Sequence, residues 1–302
     1  MPTPVTNAVT TERVRFPSGS NTLVGDLYRP VDAAEVGPAV VVTGSWTTVK
    51  EQMAGLYARR LAAEGLSTLA FDFTGYGQSQ GELRDLEDPA QKAADIAAAV
   101  GYLTTRADVD AGRIGALAVC ASSGYTAANA ADDPRVASIA FVAPWLHDPE
   151  LVKPYYGGDE GVAARLRAGE AARAGYEATG EVDYVPAVSS TDELAAMFGP
   201  WDYYLNPDRG AIPEWGGRFA VMAWPGWLTY DAVSVASRLT QPVQIVHSHE
   251  GAVPEGTERF YAQLSGPKDI VWTEGEQFDF YDQPAQVDAA IDAVRAHFER
   301  TL

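Results

Sequence analysis

The sequence predicts an α/β fold: a mostly parallel, doubly wound sheet that carries an aromatic-rich, mainly helical cap insertion. Three observations lead there. Short apolar runs such as Ala39-Val40-Val41-Val42-Thr43 have the continuous hydrophobicity of strands buried on both faces of a parallel sheet. Stretches with helical spacing of apolar residues alternate with them, as crossovers between parallel strands require. The alternation then stops across residues 145–230, which hold 14 of the 31 aromatic side chains in 86 of the 302 residues.

In chain order, residues 12–16 and 22–28 read as a hairpin around the turn-forming Pro17-Ser18-Gly19-Ser20-Asn21. The strand at 39–43 is followed by a helix over 50–64, with Met53, Leu56, Tyr57 and Leu61 on one face and Gly65 as its stop. Next come a strand at 68–71, a helix over 89–105, a strand at 113–119, a helix after Cys120 and a strand at 136–142. Within 145–230, residues 162–175 and 192–198 read as helical between loops punctuated by Pro and Gly, with no clear strand. The sheet pattern resumes at 243–247, then a helix near 255–264, a strand at 270–273 and a closing helix over 286–300. The expected division is a core of residues 1–144 and 231–302, interrupted by a cap of residues 145–230.

Hydrophobic residues at 46% and charged residues at 21% are globular proportions and exclude a disordered or fibrous chain. Lys and Arg number 22 against 41 Asp and Glu, a formal charge of −19. That field repels phosphate backbones and anionic lipid, so neither nucleic acid nor a membrane is an expected partner. Cys120 is the sole cysteine, so no internal disulfide forms and no Cys/His cluster offers a metal site. No cofactor is expected, because no glycine-rich phosphate loop follows the first parallel strand. Met1-Pro2-Thr3-Pro4-Val5-Thr6 lacks a signal-peptide pattern and no apolar run reaches the length of a membrane span, so the expected location is cytoplasmic. The expected partner is a small hydrophobic molecule, and a homodimer is compatible with the sequence.

The informative segment is Ala118-Val119-Cys120-Ala121-Ser122-Ser123-Gly124, where a strand runs into small residues and then a helix. A nucleophile elbow needs this arrangement, because small neighbours two residues away on either side let strand and helix approach closely around a strained turn. Both Cys120 and Ser122 fit the spacing. A strand over 113–119 already has normal length, so Cys120 is the expected apex. A thiol at a helix start is also expected to have a lowered pKa.

With these residues in view, the chain resembles the α/β-hydrolase superfamily, and within it the dienelactone-hydrolase-like group, whose nucleophile is Cys. The resemblance spans nearly the whole chain. Besides the elbow, it rests on Val42-Thr43-Gly44-Ser45-Trp46, on Phe71-Asp72-Phe73-Thr74-Gly75-Tyr76-Gly77-Gln78-Ser79, on residues 242–247 and on Phe278-Asp279-Phe280-Tyr281-Asp282. It implies an oxyanion hole on the backbone N–H of Ala121 and of Ser45 or Trp46, a pair of donors that stabilises a developing oxyanion by several kcal/mol.

Two places depart from the family's pattern. The acid expected after the strand at 243–247 falls on Gly251, with Glu250 one residue early, and the histidine expected before the last helix falls on Gln277. An amide cannot take a proton at neutral pH. Of the four histidines, His247 closes a strand and reads as a satisfied core residue, His297 reads as a surface residue of the closing helix, His147 opens the insertion, and His249 lies in a loop. Three routes stay open. His249 or Glu250 serves as base; an acyl group on Cys120 passes to an internal or external nucleophile instead of water; or the fold supports isomerisation, cyclisation or elimination without a covalent role for Cys120. A catalytically silent ligand-binding protein is a further alternative. The leading expectation is an enzyme acting at the ester, lactone or thioester carbonyl of a hydrophobic metabolite, aromatic or polyketide-like. Gln277, Asp279 and Tyr281 would line its pocket, and Trp201, Tyr203, Tyr204 and Trp227 would roof it. Asp72 reads as a structural anchor for the glycine turn that follows it.

Overall fold

The computed structural model describes residues 8–32 and 35–302. The first six residues, read above for a leader pattern, lie outside the described residues. Val9–Ser18 (β1) and Asn21–Pro30 (β2) pair antiparallel around Gly19, whose φ of 55° is the left-handed geometry the tight turn needs. Gly37–Thr43 (β3), Met53–Ala63 (α1), Ser67–Phe71 (β4), Pro89–Thr104 (α2), Val109–Val119 (β5), Ser122–Asp132 (α3) and Val136–Val142 (β6) then alternate as expected. α2 starts where its chemistry dictates: the Asp88 carboxylate accepts from the N–H of Ala90 (3.0 Å) and Gln91 (3.1 Å), and Pro89 occupies the first helical position.

After β6 a stretch of chain leaves the sheet. That stretch contains Gly158–Thr179 (α4), Tyr184–Pro186 (β7), Val188–Ser189 (β8), Met197–Phe198 (β9), Asp202–Leu205 (α5), Arg218–Ala220 (β10) and Trp224–Leu228 (α6). β7 pairs antiparallel with β10, and β8 parallel with β9. The sequence shows no strand here because two or three residues are too few for a period-2 pattern. Residues 192–198, expected as a helix, instead turn and enter β9. The chain rejoins the sheet with Val243–Ser248 (β11), then Pro254–Gln263 (α7), Lys268–Thr273 (β12), Asp279–Asp282 (α8) and Pro284–Thr301 (α9).

The eight-stranded sheet has the order β1-β2-β4-β3-β5-β6-β11-β12, antiparallel only where β1 and β2 join it. α1 and α9 pack together on one face, and α2 and α3 on the other. Residues such as Val40, Val42, Leu69, Leu117, Ile139, Ile245 and Val246 are fully buried in the middle, each contributing about 1.5–3 kcal/mol through removal from water. Buried side chains of the insertion, including Phe219, Trp224 and Trp227, belong to the same continuous core. Among the described residues, no helix is long and apolar enough to cross a membrane.

Candidate active site

β5 ends at Val119 and α3 begins at Ser122, which leaves Cys120 and Ala121 to make the reversal. Cys120 has a φ of 60°, a left-handed backbone that costs a non-glycine residue about 1–3 kcal/mol. Neighbouring strands impose it. The Cys120 N–H donates to the Val142 carbonyl (3.1 Å), and the Cys120 carbonyl accepts from Trp145 N–H (3.0 Å) and Ser123 N–H (3.1 Å). Ser122, the other residue that fits the elbow spacing, is buried in the first turn of α3 with its hydroxyl donating to the Gly44 carbonyl.

Above this turn lies a cavity of about 810 Å³. Its floor is Ser45, Trp46, Cys120 and Ala121, and residues from the insertion, among them Trp145, Tyr156, Trp201, Tyr204 and Trp227, close it from above. Trp227 packs against both Trp46 (5.6 Å between ring centres) and Trp145 (6.1 Å), so floor and roof are one aromatic assembly.

Four groups act on the Cys120 thiol: the side chains of Ser45, Tyr281 and Gln277 and the N–H of Ala121. Ser45 Oγ also bonds Tyr281 Oη at 2.9 Å and accepts from Tyr204 Oη at 3.1 Å. Burial pushes the Cys120 thiol above its ordinary value, and it pushes both phenols well up too. The expected lowering by the helix start is therefore corrected. Desolvation outweighs hydrogen bonds from neighbours that are all neutral.

The loop under the floor has its own anchor. Glu87, buried, accepts from Thr47 N–H (3.0 Å), Tyr76 Oη (3.1 Å), Tyr125 Oη (2.6 Å) and Lys92 Nζ (2.8 Å). Thr47 has a φ of 59°, and its carbonyl accepts from Trp215 Nε1 of the insertion at 2.9 Å. Asp72 anchors a second turn through Lys50 N–H (2.8 Å), Lys50 Nζ (2.9 Å) and Gln78 N–H (2.9 Å). This is the structural role read for it from the sequence.

Residues 39–290 match the model of the alpha/beta hydrolase family. The chain belongs to that family. It is 33% identical to YcjY, an uncharacterized protein of Escherichia coli (strain K12), over 96% of this chain and 99% of that one. The solved structure of the hypothetical protein PA2218 from Pseudomonas aeruginosa superposes with a TM-score of 0.86 at 24% identity, covering 99% of this chain and 96% of the other. A shorter match, 34% identical over 42% of this chain and 40% of the relative, is to the acyltransferase drtE of Aspergillus calidoustus.

At the position where a histidine was expected, the cavity wall carries Gln277. Gln277 is pinned at both ends of its amide: Oε1 accepts from Ala252 N–H (2.8 Å) and Nε2 donates to the Ala143 carbonyl (2.8 Å). No histidine lines the cavity among the described residues. His147 is buried behind it, with Nδ1 accepting from Trp145 Nε1 (2.8 Å) and Nε2 at 2.9 Å from the Trp227 carbonyl, and burial lowers its pKa to about 4. His247 is likewise buried and lowered to about 4; His297, expected at the surface, is instead buried between α9 and the sheet, its Nε2 2.8 Å from Ser138 Oγ, and is also lowered to about 4.

Several expected site residues move. His249 is exposed, stacked flat on Trp272 at 4.1 Å and 3.9 Å from Glu258, so it is withdrawn as a base. Asp279 does not line the cavity; its carboxylate accepts from Glu276 N–H (2.8 Å) at the start of α8. Tyr203 stands behind the wall, edge-on to Tyr204 and Tyr281 at 5.0 Å each. Glu250 lines the cavity from an exposed position. Trp201, Tyr204, Trp227, Gln277 and Tyr281 line it as well. The Ser45 N–H already meets Met53 Sδ at 3.4 Å, which leaves Ala121 and Trp46 as the stronger backbone-donor candidates. The sequence reading did not single out Trp145, Tyr156 or Arg165 as cavity residues. For the two aromatics a signal existed, their place in the aromatic-rich insertion; an arginine on an otherwise charged helix gives none.

Proposed function

We propose that this chain is an enzyme acting at the ester, lactone or thioester carbonyl of a hydrophobic metabolite, aromatic or polyketide-like, with Cys120 as nucleophile. The observation that carries the reading is the placing of Cys120, at a left-handed turn on the floor of an aromatic cavity, next to the hydrogen-bonded hydroxyls of Tyr281 and Ser45. In acylation the sulfur attacks the carbonyl carbon while its proton passes to Tyr281 Oη, the tyrosine proton to Ser45 Oγ, and the serine proton to the departing oxygen or sulfur. One S–C bond forms, one C–O or C–S bond breaks, and no charged base is created. Backbone N–H groups of Ala121 and Trp46 would receive the oxyanion.

The same series run backwards takes a proton from an incoming hydroxyl. Gln277 cannot take a proton, so discharge depends on this series, and the apolar aromatic lining favours an alcohol, internal or external, over water as the acceptor. The partial similarity to an acyltransferase agrees with this route. A second reading, an isomerase, cyclase or lyase without a covalent step, draws support from the raised thiol, since neutral O–H and S–H donors can stabilise an enolate directly.

Intact-mass measurement after incubation with activated aryl esters and thioesters tests the proposal. The expected result is one acyl adduct on the wild type, none on Cys120→Ala, and faster discharge by added alcohols than by buffer. Steady turnover that survives Cys120→Ala would overturn it.

A further inference from the structure

Arg165 on α4 is the one cation among the described residues lining the cavity, and it makes no ion pair with any described carboxylate, in a chain with 41 acidic residues against 22 basic ones. Its guanidinium is held in place. Nη1 donates to the Tyr156 carbonyl (2.9 Å) and to the Gly161 carbonyl (3.3 Å), and the planar group lies 5.4 Å from the Tyr156 ring centre and 5.3 Å from that of Trp224. Those contacts occupy one terminal nitrogen and leave Nε and Nη2 without a described partner. These two N–H groups form the edge of a guanidinium that takes a carboxylate in two parallel hydrogen bonds.

We infer that the substrate carries a carboxylate in addition to its reacting carbonyl, and that Arg165 binds it through this free edge. The inference rests on the cavity being the substrate site, as proposed above. It adds the chemical class: a hydrophobic or aromatic carboxylic acid derivative, anionic at one end and activated at the other. The charge distribution sets its direction. Glu250 and Glu276 also line the cavity, but on the loops after β11 and β12, and both are exposed. A carboxylate is repelled from that side and attracted to the insertion, which keeps the carbonyl end free for Cys120. Stacking against two rings orders the guanidinium before the ligand arrives, so little side-chain entropy is lost on binding.

Binding to the Cys120→Ala variant tests this without turnover. Four tryptophans (Trp46, Trp145, Trp201, Trp227) line the cavity, so ligand entry reports through their fluorescence. The probes are 6-phenylhexanoic acid, its alcohol 6-phenylhexan-1-ol, and the phosphate ester of that alcohol. At pH 7.5 and low salt the acid should bind about tenfold more tightly than the alcohol. Adding Arg165→Gln should erase that preference while leaving alcohol affinity unchanged, which also shows that the variant is folded. Arg165→Lys should keep part of it, as a point charge without the paired edge. Equal binding of acid and alcohol, or a preference that persists in Arg165→Gln, would overturn the inference; tighter binding of the phosphate ester would overturn the assignment to a carboxylate. Loss of the Cys120 adduct with uncharged esters, by contrast, bears on the proposed chemistry and leaves this binding test standing.

Discussion

Gly251 and His247 compete for the same space: a Cβ on Gly251 would lie 2.6 Å from His247 Cε1 and 3.0 Å from its Nδ1. The position where the family's acid is expected is therefore filled by an imidazole that reaches it from β11 and bonds the Ala252 carbonyl through Nε2 at 3.1 Å. Gly251→Asp should destabilise the fold by about 1–3 kcal/mol through overpacking, and Gly251→Asp with Gln277→His should fail to gain ester hydrolysis. Adding His247→Ala should recover part of the lost stability. Urea midpoints of the single, double and triple variants check both statements; a hydrolytic gain in the double variant would contradict them.

The thiol makes a second prediction. Folding favours the neutral form of Cys120, so at any given pH the native protein holds less thiolate than the unfolded chain. Iodoacetamide labelling of the native protein should keep rising, roughly tenfold per pH unit, beyond the pH of about 8.5 where an ordinary thiol starts to level off. A plateau already below pH 8.5 would mean that the helix start outweighs burial after all.

Both predictions turn on features that differ in how legible they were in the sequence. The positions of the strands up to β6 and from β11 onward could be read because buried parallel strands leave apolar runs, and the elbow could be read because its small residues stand at fixed spacing around the turn. The neutral surroundings of Cys120 could not. Ser45, Tyr204 and Tyr281 lie far apart in sequence and meet only when β3, α5 and α8 converge, and desolvation depends on how tightly the insertion covers the floor. His249 misled for the opposite reason: a loop histidine near the acid's expected place looks available, while the ring in fact lies flat against Trp272 outside the cavity.

If Tyr281 carries the proton, its hydroxyl matters for rate more than for stability. Tyr281→Phe keeps the ring contacts with Tyr203 and Phe278 (5.0 and 5.4 Å) and removes only the oxygen. Adduct formation on Cys120 should slow by about 100-fold or more, with about 1 kcal/mol lost in stability. Tyr204→Phe, which removes a donor to Ser45 without breaking the series to the sulfur, should cost distinctly less. Stopped-flow release of the leaving group measures both, and equal effects of the two substitutions would exclude Tyr281 as the carrier.

The deepest-set charges beneath the cavity are the buried pair of Glu87 and Lys92. Lys92 is enclosed by the rings of Phe73, Tyr76 and Tyr125, and burial lowers its pKa. Glu87 also accepts from the N–H of Thr47, the residue after Trp46, whose N–H is the proposed oxyanion donor. Removing Lys92 alone leaves a carboxylate unpaired in the core, so Lys92→Met should cost about 3–5 kcal/mol. Replacing both residues with Met removes the unpaired charge and should return much of that stability. The anchor on Thr47 is then gone. If the pair positions the oxyanion loop, the double variant should melt close to the wild type yet acylate more slowly at saturating ester, with KM little changed, since ground-state binding in the aromatic cavity does not use the loop N–H groups. A double variant with full kcat would reduce the pair to a packing unit, and a change confined to KM would place its effect on binding instead.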